Sequence, residues 1–324
     1  MKVSVIVPLH NVQDYVEQLI RSLMSQTCKS FEVILVDDGS NDKTFSLAKD
    51  AVSNDKRFFL LHQENGGQSS ARVLGIEHAR GEFVMFADGD DWVEKNFVED
   101  LLTVVVSQQT EIAFANYYLD YPAHQRRESR IRYNVDEFGN QVTEERLRSL
   151  WIEGKIEGFV WNKIFSRRLA RLMIHDSNNY KEDTRFVSSC IAQVDQISFV
   201  SRPSYHYFQR SGSAIHSPAT ISQWDGCFST LRQLRSLATS NLLDIEWKKR
   251  AAREILILLL RTKKINHDVA FEAFQKNQDL VLLLRNTGNN RLDKIIMNKI
   301  SDDYIPWKLI WFRRILSSLK EMRR

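Results

Sequence analysis

Cysteine is scarce in this chain: Cys28, Cys190 and Cys227 are the three among 324 residues. Odd in number and far apart, they offer neither a disulfide framework nor the paired spacing of a zinc site, and they suit a reducing compartment. Long apolar runs are missing as well. None approaches the ~18 residues of a membrane helix, and the longest, residues 255–260, reads as a buried helix segment. Met1-Lys2 leads into an apolar run too short for the core of a secretory signal, so a cytoplasmic location is expected. Excess charge is small, at a formal +4. The basic residues gather in one loop and one tail segment, which argues against a nucleic-acid partner. Glycine-rich phosphate loops are also absent. No G-x-G-x-x-G follows the first apolar run and no G-x-x-x-x-G-K-[ST] occurs, which removes a Rossmann dinucleotide site and a P-loop. No internal repeat or low-complexity tract appears.

What is present is enough apolar side chain, 43%, for one large or two modest globular domains. Residues 1–117 alternate between two periods. Apolar runs at 3–7, 31–36, 58–61, 83–86 and 112–116 predict strands, and helical spacing predicts helices over 12–24, 42–52, 69–79 and 96–106. Ser40 or Asn41 is the expected cap of the second helix. This β-α-β-α order predicts an α/β fold, a mostly parallel sheet flanked by helices.

Polar or acidic clusters end three of those strands: His10-Asn11, Asp37-Asp38 and Asp88-Gly89-Asp90-Asp91. Strand ends of a parallel sheet lie side by side on one edge, where such sheets bind ligands, so the clusters should converge. Crowded carboxylates repel one another unless something positive sits between them. A divalent cation carrying phosphates takes one or two carboxylates plus the phosphate oxygens. Asp88, Asp90 and Asp91 therefore read as a metal–diphosphate site, against the plainer reading of an acidic turn in which Asp91 caps the next helix.

The second half carries fewer signals. Residues 118–142 are polar, with Arg126, Arg127, Arg130 and Arg132, and read as a surface loop, the alternative being a lid or a patch for an anionic acceptor. Trp151 and Trp161 read as core, the alternative being an apolar floor under a sugar, and Lys163 could pair with an anion or be a surface charge. Lys181-Glu182-Asp183 opens a predicted helix. Strands are expected over 197–200 and 205–208, and from about 219 the chain reads as helical, with helices over 247–264 and 268–285. Residues 305–324 form a basic amphipathic pattern flanked by Trp307 and Trp311, suited to an anionic membrane surface; packing on its own domain, on a second copy or on a partner enzyme is the alternative.

Four motifs within about 95 residues carry a family resemblance. They are Val3-Ser4-Val5-Ile6-Val7-Pro8-x-x-Asn11, Asp37-Asp38-Gly39-Ser40-x-Asp42, Asn65-x-Gly67-x-x-x-Ala71-Arg72, and Gly81-x-x-x-x-Phe86-x-Asp88-x-Asp90-Asp91. The chain resembles the family 2 glycosyltransferases of the GT-A fold, of the bacterial polysaccharide or capsule type. Trp161-Asn162-Lys163 and Glu182-Asp183 resemble their acceptor half. The resemblance implies a nucleotide-sugar donor, usually a UDP-sugar, a Mn or Mg ion, a glycan or lipid-linked glycan acceptor, and inversion at the anomeric carbon. It implies a donor site of Pro8, His10, Asn11, Asp37, Asp38, Arg72 and Asp88, with Asp38 accepting from the uracil and Arg72 beside that ring. It implies Asp88 and Asp90 on the metal, Asp183 as catalytic base, and Trp161, Lys163 and Glu182 toward the acceptor. His10 stands where the family commonly has tyrosine, and Val73 where it has asparagine. The expected organisation is a catalytic domain over 1–218, with a donor half at 1–117 and an acceptor half at 118–218, then a helical region over 219–324. A nucleotidyltransferase would need a glycine-rich basic loop after the first strand, and His10-Asn11-Val12 is not one. A non-catalytic nucleotide- or glycan-binding relative would be expected to have lost Asp88, Asp90 or Asp183, and all three are present.

Overall fold

The computed structural model describes residues 1–121, 127–130, 142–175, 178, 180–209, 219–262, 267–284, 287, 295–297 and 310. The elements run β1 (Val3–Leu9), α1 (Val16–Met24), β2 (Phe31–Asp38), α2 (Thr44–Val52), β3 (Phe58–Gln63), α3 (Gln68–His78), β4 (Phe83–Phe86), β5 (Trp92–Val93), α4 (Phe97–Ser107) and β6 (Ile112–Asp120). There follow β7 (Arg127–Arg130), α5 (Glu144–Glu153), β8 (Lys163–Ser166), α6 (Arg167–Ala170), α7 (Glu182–Ile191), β9 (Ser198–Phe208), α8 (Ile221–Ser236), α9 (Asn241–Arg261), α10 (His267–Lys276) and α11 (Gln278–Leu283).

The strands form one sheet in the order β3-β2-β1-β4-β8-β6-β9-β5, with β7 also paired to β6. All residues of β1 and of β2 are buried, the pattern of strands covered on both faces. Strand β1 is parallel to β2 from Val3↔Phe31 and to β4 from Val3↔Phe83, and β2 is parallel to β3. The parallel sheet read from the sequence is this part. Beyond β4 the sheet is mixed, because β8 runs antiparallel to both β4 and β6 while β9 is parallel to β6. Residues 127–130, expected within a loop, pair as a strand with Tyr117 to Asp120. Strand β8 covers β6 only as far as Phe114, and β7 takes up the backbone groups of the edge left open beyond it. Arg126 and Arg132 lie outside the described residues, as does the 305–324 segment apart from Ile310.

Other differences have local causes. The first helix starts at Val16 and not at Val12, because Asn11 takes a left-handed φ of +52° and residues 12–15 form a turn. Asp42, neither Ser40 nor Asn41, accepts the first-turn N–H of Thr44 at 2.9 Å. The two strands expected at 197–200 and 205–208 are one strand, whose pairing with β6 shifts register between Ala115 and Tyr117. The helix expected over 268–285 is split at Asn277, whose side chain donates to Ala273 O at 2.7 Å.

Two compact units are present. The first comprises Met1–Leu147, Glu157–Asn179 and Asp183–Ser211, and the second Arg148–Ile156, Tyr180–Glu182 and Gly212–Arg324. In the first, α1 lays Val16, Leu19, Ile20 and Leu23 on the core shared with Val5, Val7, Leu35, Met85 and Phe97. In the second, Trp224 meets Phe274 edge-on at 5.3 Å, and Trp247 Nε1 donates to Leu231 O at 2.9 Å. No helix among the described residues is long and apolar enough to cross a membrane.

Gly81 shows how tightly β4 is laid beside β1. A Cβ there would stand 2.6 Å from Ser4 N and 2.7 Å from Phe83 O, both backbone atoms that cannot swing away. Gly81→Ala is expected to cost about 3 kcal/mol or more, since overpacking against rigid backbone lies at the upper end of such losses. Thermal unfolding of the variant checks this, and an unchanged midpoint would contradict the close approach.

Candidate active site

Strands β2, β1 and β4 are neighbours and parallel, so their carboxyl ends share one edge. That edge receives Asp37-Asp38, His10-Asn11 and Asp88 to Asp91, and the three clusters meet as the sequence implies. Pro8 is buried within β1, opposite Val36.

Asp38 is 3% exposed and heavily engaged. Its Oδ1 accepts from Gly66 N at 2.8 Å and Gln63 Nε2 at 2.7 Å, and its Oδ2 accepts from Gly67 N at 2.9 Å. Two carboxylate oxygens offer about four acceptor directions, so about one is left for a ligand donor. The carboxylate thus also fastens the Asn65-Gly66-Gly67 turn; Gly67 has φ +85° there, a conformation glycine adopts without strain. His10 Nδ1 lies 2.8 Å from Asp38 O. A carbonyl only accepts, so that nitrogen carries the proton, which leaves Nε2 to accept from Asn11 Nδ2 at 3.1 Å. Asn11 Oδ1 in turn accepts from Asn41 N at 2.9 Å. Asp37 is fully buried; its Oδ2 accepts from His62 Nδ1 at 2.8 Å, and its Oδ1 has no hydrogen-bond partner among the described residues.

Arg72, on α3, is the hub. It is 1% exposed, and a buried guanidinium needs counter-charges. Its Nη2 donates to Asp88 Oδ1 at 2.9 Å and its Nη1 to Asp183 Oδ1 at 2.6 Å. The resemblance implies a place for Arg72 beside a base ring; here its partners are the carboxylates of the β4 end and of the second residue of α7. Gln68 Nε2 also donates to Asp88 Oδ1, at 2.9 Å. Burial raises the Asp88 pKa, Arg72 opposes the rise, and the charges of Asp183 and Asp90 add to it, which leaves it at about 6. Asp90 is half-buried, and Glu182 is half-buried at the start of α7.

Asp91 does not cap the next helix, which begins only at Phe97. Its Oδ2 accepts from Tyr205 Oη at 2.7 Å and its Oδ1 from Phe208 N at 2.8 Å. Burial, followed by the charges of Asp88 and Asp90, pushes it well above the usual carboxylate range. The same Tyr205 oxygen accepts the backbone N–H of Asp88 at 3.0 Å. A single hydroxyl therefore locks both ends of the Asp88–Asp91 turn onto β9. Sequence reasoning missed this tyrosine, which reads there only as a strand residue.

Trp161 takes its core reading, and Lys163 is not a surface charge. Trp161 is 2% exposed, stacked on Tyr205 at 4.5 Å and edge-on to Tyr117 at 4.8 Å. Lys163 is fully buried, its ammonium 4.7 Å from the Phe114 ring centroid, donating to Phe159 O and to Asn162 Oδ1. Burial brings it down to about 7 against the charges of Glu157 and Asp183, which favour the cation. Both side chains are enclosed, Trp161 by Tyr205, Tyr117 and Phe159, and Lys163 by Phe114 and the Phe159 carbonyl.

Residues 4–171, just over half of the 324-residue chain, match the model of Glycosyl transferase family 2. The chain belongs to this family. It is 32% identical over 211 residues to the putative glycosyltransferase EpsH of Bacillus subtilis, over 63% of this chain and 60% of that one. It is 30% identical over 221 residues to the glycosyltransferase GlyA of Streptococcus pneumoniae, where it spans 31% of the relative. The chain thus spans about 60% of the length of EpsH and under a third of GlyA. Among solved structures it is similar to S. aureus TarS 1-349 in complex with UDP-GlcNAc, with TM-score 0.71 and 20% identity over 88% of this chain and 82% of that one. At that identity the likeness shows the fold, which is of the GT-A type.

Proposed function

We propose that the chain transfers a sugar, with inversion, from a nucleotide-sugar to a hydroxyl of a glycan or lipid-linked glycan during surface-polysaccharide synthesis. The observation that carries this reading is the Arg72 bridge, which brings the acidic end of β4 and the helix-start carboxylate Asp183 to opposite ends of one guanidinium. Family membership supports it. So does the fold shared with TarS, whose solved complex holds UDP-GlcNAc, which favours a UDP-sugar here. Residues 1–117 would hold the donor and 118–218 the acceptor, and the basic 305–324 segment would rest on the inner face of the membrane.

Asp183 removes the acceptor hydroxyl proton as the oxygen attacks the anomeric carbon and the bond to the diphosphate breaks. One base and a direct displacement give inversion. A double displacement would need a second, nucleophilic carboxylate. Among the described residues no three His, Cys, Asp or Glu groups form a ready metal cluster. That is compatible with a cation of the Mn or Mg type held by one or two carboxylates and completed by donor phosphates. Asp90, half-buried at the strand end, and Asp88, pushed up to about 6 among like charges, fit such an ion. When bound, the ion supplies positive charge to the leaving diphosphate.

The test is UDP release by the purified chain with Mn over a panel of UDP-sugars, beside Asp90→Ala. Metal-dependent release from one donor, lost in the variant, is expected. UDP binding that is insensitive to metal and to Asp90→Ala would overturn the carboxylate reading, and no UDP binding at all would overturn the donor.

A further inference from the structure

Lys181 has a φ of +61°, one of three non-glycine residues with positive φ among those described. A residue with a Cβ keeps this conformation only where its surroundings impose it, and such backbone gathers at functional sites. Here the strained residue immediately precedes Glu182-Asp183.

Its surroundings are specific. Lys181 Nζ donates to Glu254 Oε2 at 2.8 Å, and the side chains are 23% and 15% exposed. The ammonium also lies 5.9 Å from the ring centroid of Tyr180. Glu254, on α9, is anchored from its other side: its Oε1 lies 4.0 Å from Arg250 Nε, and Arg250 Nη1 donates to Trp151 O. Burial works against the Glu254 charge, but Lys181, Arg250 and Arg253 outweigh it and hold the carboxyl below its ordinary range. Trp151, Arg250, Glu254 and Lys181 thus make one line of anchors within the second unit. From Lys181 the chain enters α7, whose second residue is Asp183.

We propose that Glu254, acting through Lys181, is a positioning residue for Asp183. The ion pair holds the left-handed turn that starts α7 and thereby aims the Asp183 carboxylate. This rests on Asp183 being the base of the transfer reaction. It gives α9 a part in catalysis without contact with either substrate. Misplacing a reacting group by about 1 Å can cost on the order of 100-fold in rate, so a small change in the turn is enough.

The test uses the full chain with the UDP-sugar that the wild type turns over. Calorimetric titration with UDP counts the binding-competent sites, and turnover is expressed per site. Glu254→Gln keeps the shape and loses the charge; turnover per site is expected to fall about 10–100-fold while donor KM stays within about twofold of wild type. Lys181→Arg keeps the pair and should stay near wild type. Lys181→Gly takes the left-handed turn without strain but has no ammonium, and should lose turnover per site as Glu254→Gln does. A merely structural role would lower the number of UDP-binding sites and leave turnover per site unchanged, which would overturn the proposal. So would full turnover per site in Lys181→Gly. Asp183→Asn separates the two levels. Normal turnover in that variant would overturn the base and this role with it, whereas normal turnover in Glu254→Gln beside an inactive Asp183→Asn would overturn the positioning alone.

Discussion

Asp183→Asn is expected to lower sugar transfer by about 10²–10⁴-fold, the usual worth of a general base. The substitution keeps the size of the side chain and an oxygen that Arg72 Nη1 can still reach, so the 2.6 Å contact has a replacement. What it removes is the capacity to take a proton. An acceptor hydroxyl that stays protonated is a weak nucleophile, and the loss should fall on kcat. UDP affinity should change little, because no donor-binding role is assigned to Asp183. Steady-state turnover with a competent acceptor, beside UDP titration, reads both. Turnover at the wild-type rate would sink the base assignment, and a matching loss of UDP affinity would place Asp183 in the donor site instead.

Arg72→Met is the second large effect. Arg72 is 1% exposed, and the Asp88 and Asp183 side chains are 20% and 19% exposed. Removing one partner of a buried ion group leaves uncompensated charge and costs about 3–5 kcal/mol. The sign of the pH dependence follows. Without the guanidinium, which opposes the rise, Asp88 holds its proton still more tightly in the folded chain than in the unfolded one. Where the folded state binds more protons, stability falls as pH rises. Asp88 already sits at about 6 with Arg72 in place, so the deficit should be largest near pH 8 and shrink toward pH 5. Thermal unfolding of wild type and variant at both pH values, in chelator, measures it. An equal deficit at the two pH values would mean that Arg72 acts by packing and not by charge. Arg72→Lys should recover only part of the loss, since one ammonium cannot give the two carboxylates separate nitrogens.

The strand-end side of the site was legible because its determinants are local. The run at 83–86 is apolar throughout and those at 3–7 and 31–36 are apolar but for Ser4 and Glu32, the pattern of strands buried on both faces, and the polar clusters follow them. The second half was less legible because its pairs are remote. Asp183 and Arg72 are 111 residues apart, and Tyr205 and Asp91 are 114 apart. Trp161 and Lys163 carried polar or aromatic chemistry in a suggestive motif, yet Tyr205, Tyr117 and Phe159 enclose Trp161, and Lys163 is buried against Phe114 and the Phe159 carbonyl. An aromatic or a lysine looks the same in sequence whether it faces a ligand or the core.

By itself, then, the sequence determined that the first four strands run parallel, that the polar ends at His10, Asp38 and Asp88 share one edge, and that a helix opens at Glu182-Asp183. Periodicity and strand ends specify these, and both are written within a few residues of one another. Only the tertiary structure decided that one arginine spans Asp88 and Asp183, that Tyr205 fastens the acidic turn from 117 residues away, and that Glu254 pairs with Lys181, the residue before Glu182-Asp183. These depend on which buried charge finds which counter-charge, and burial assigns such partners only when the whole core has closed around them.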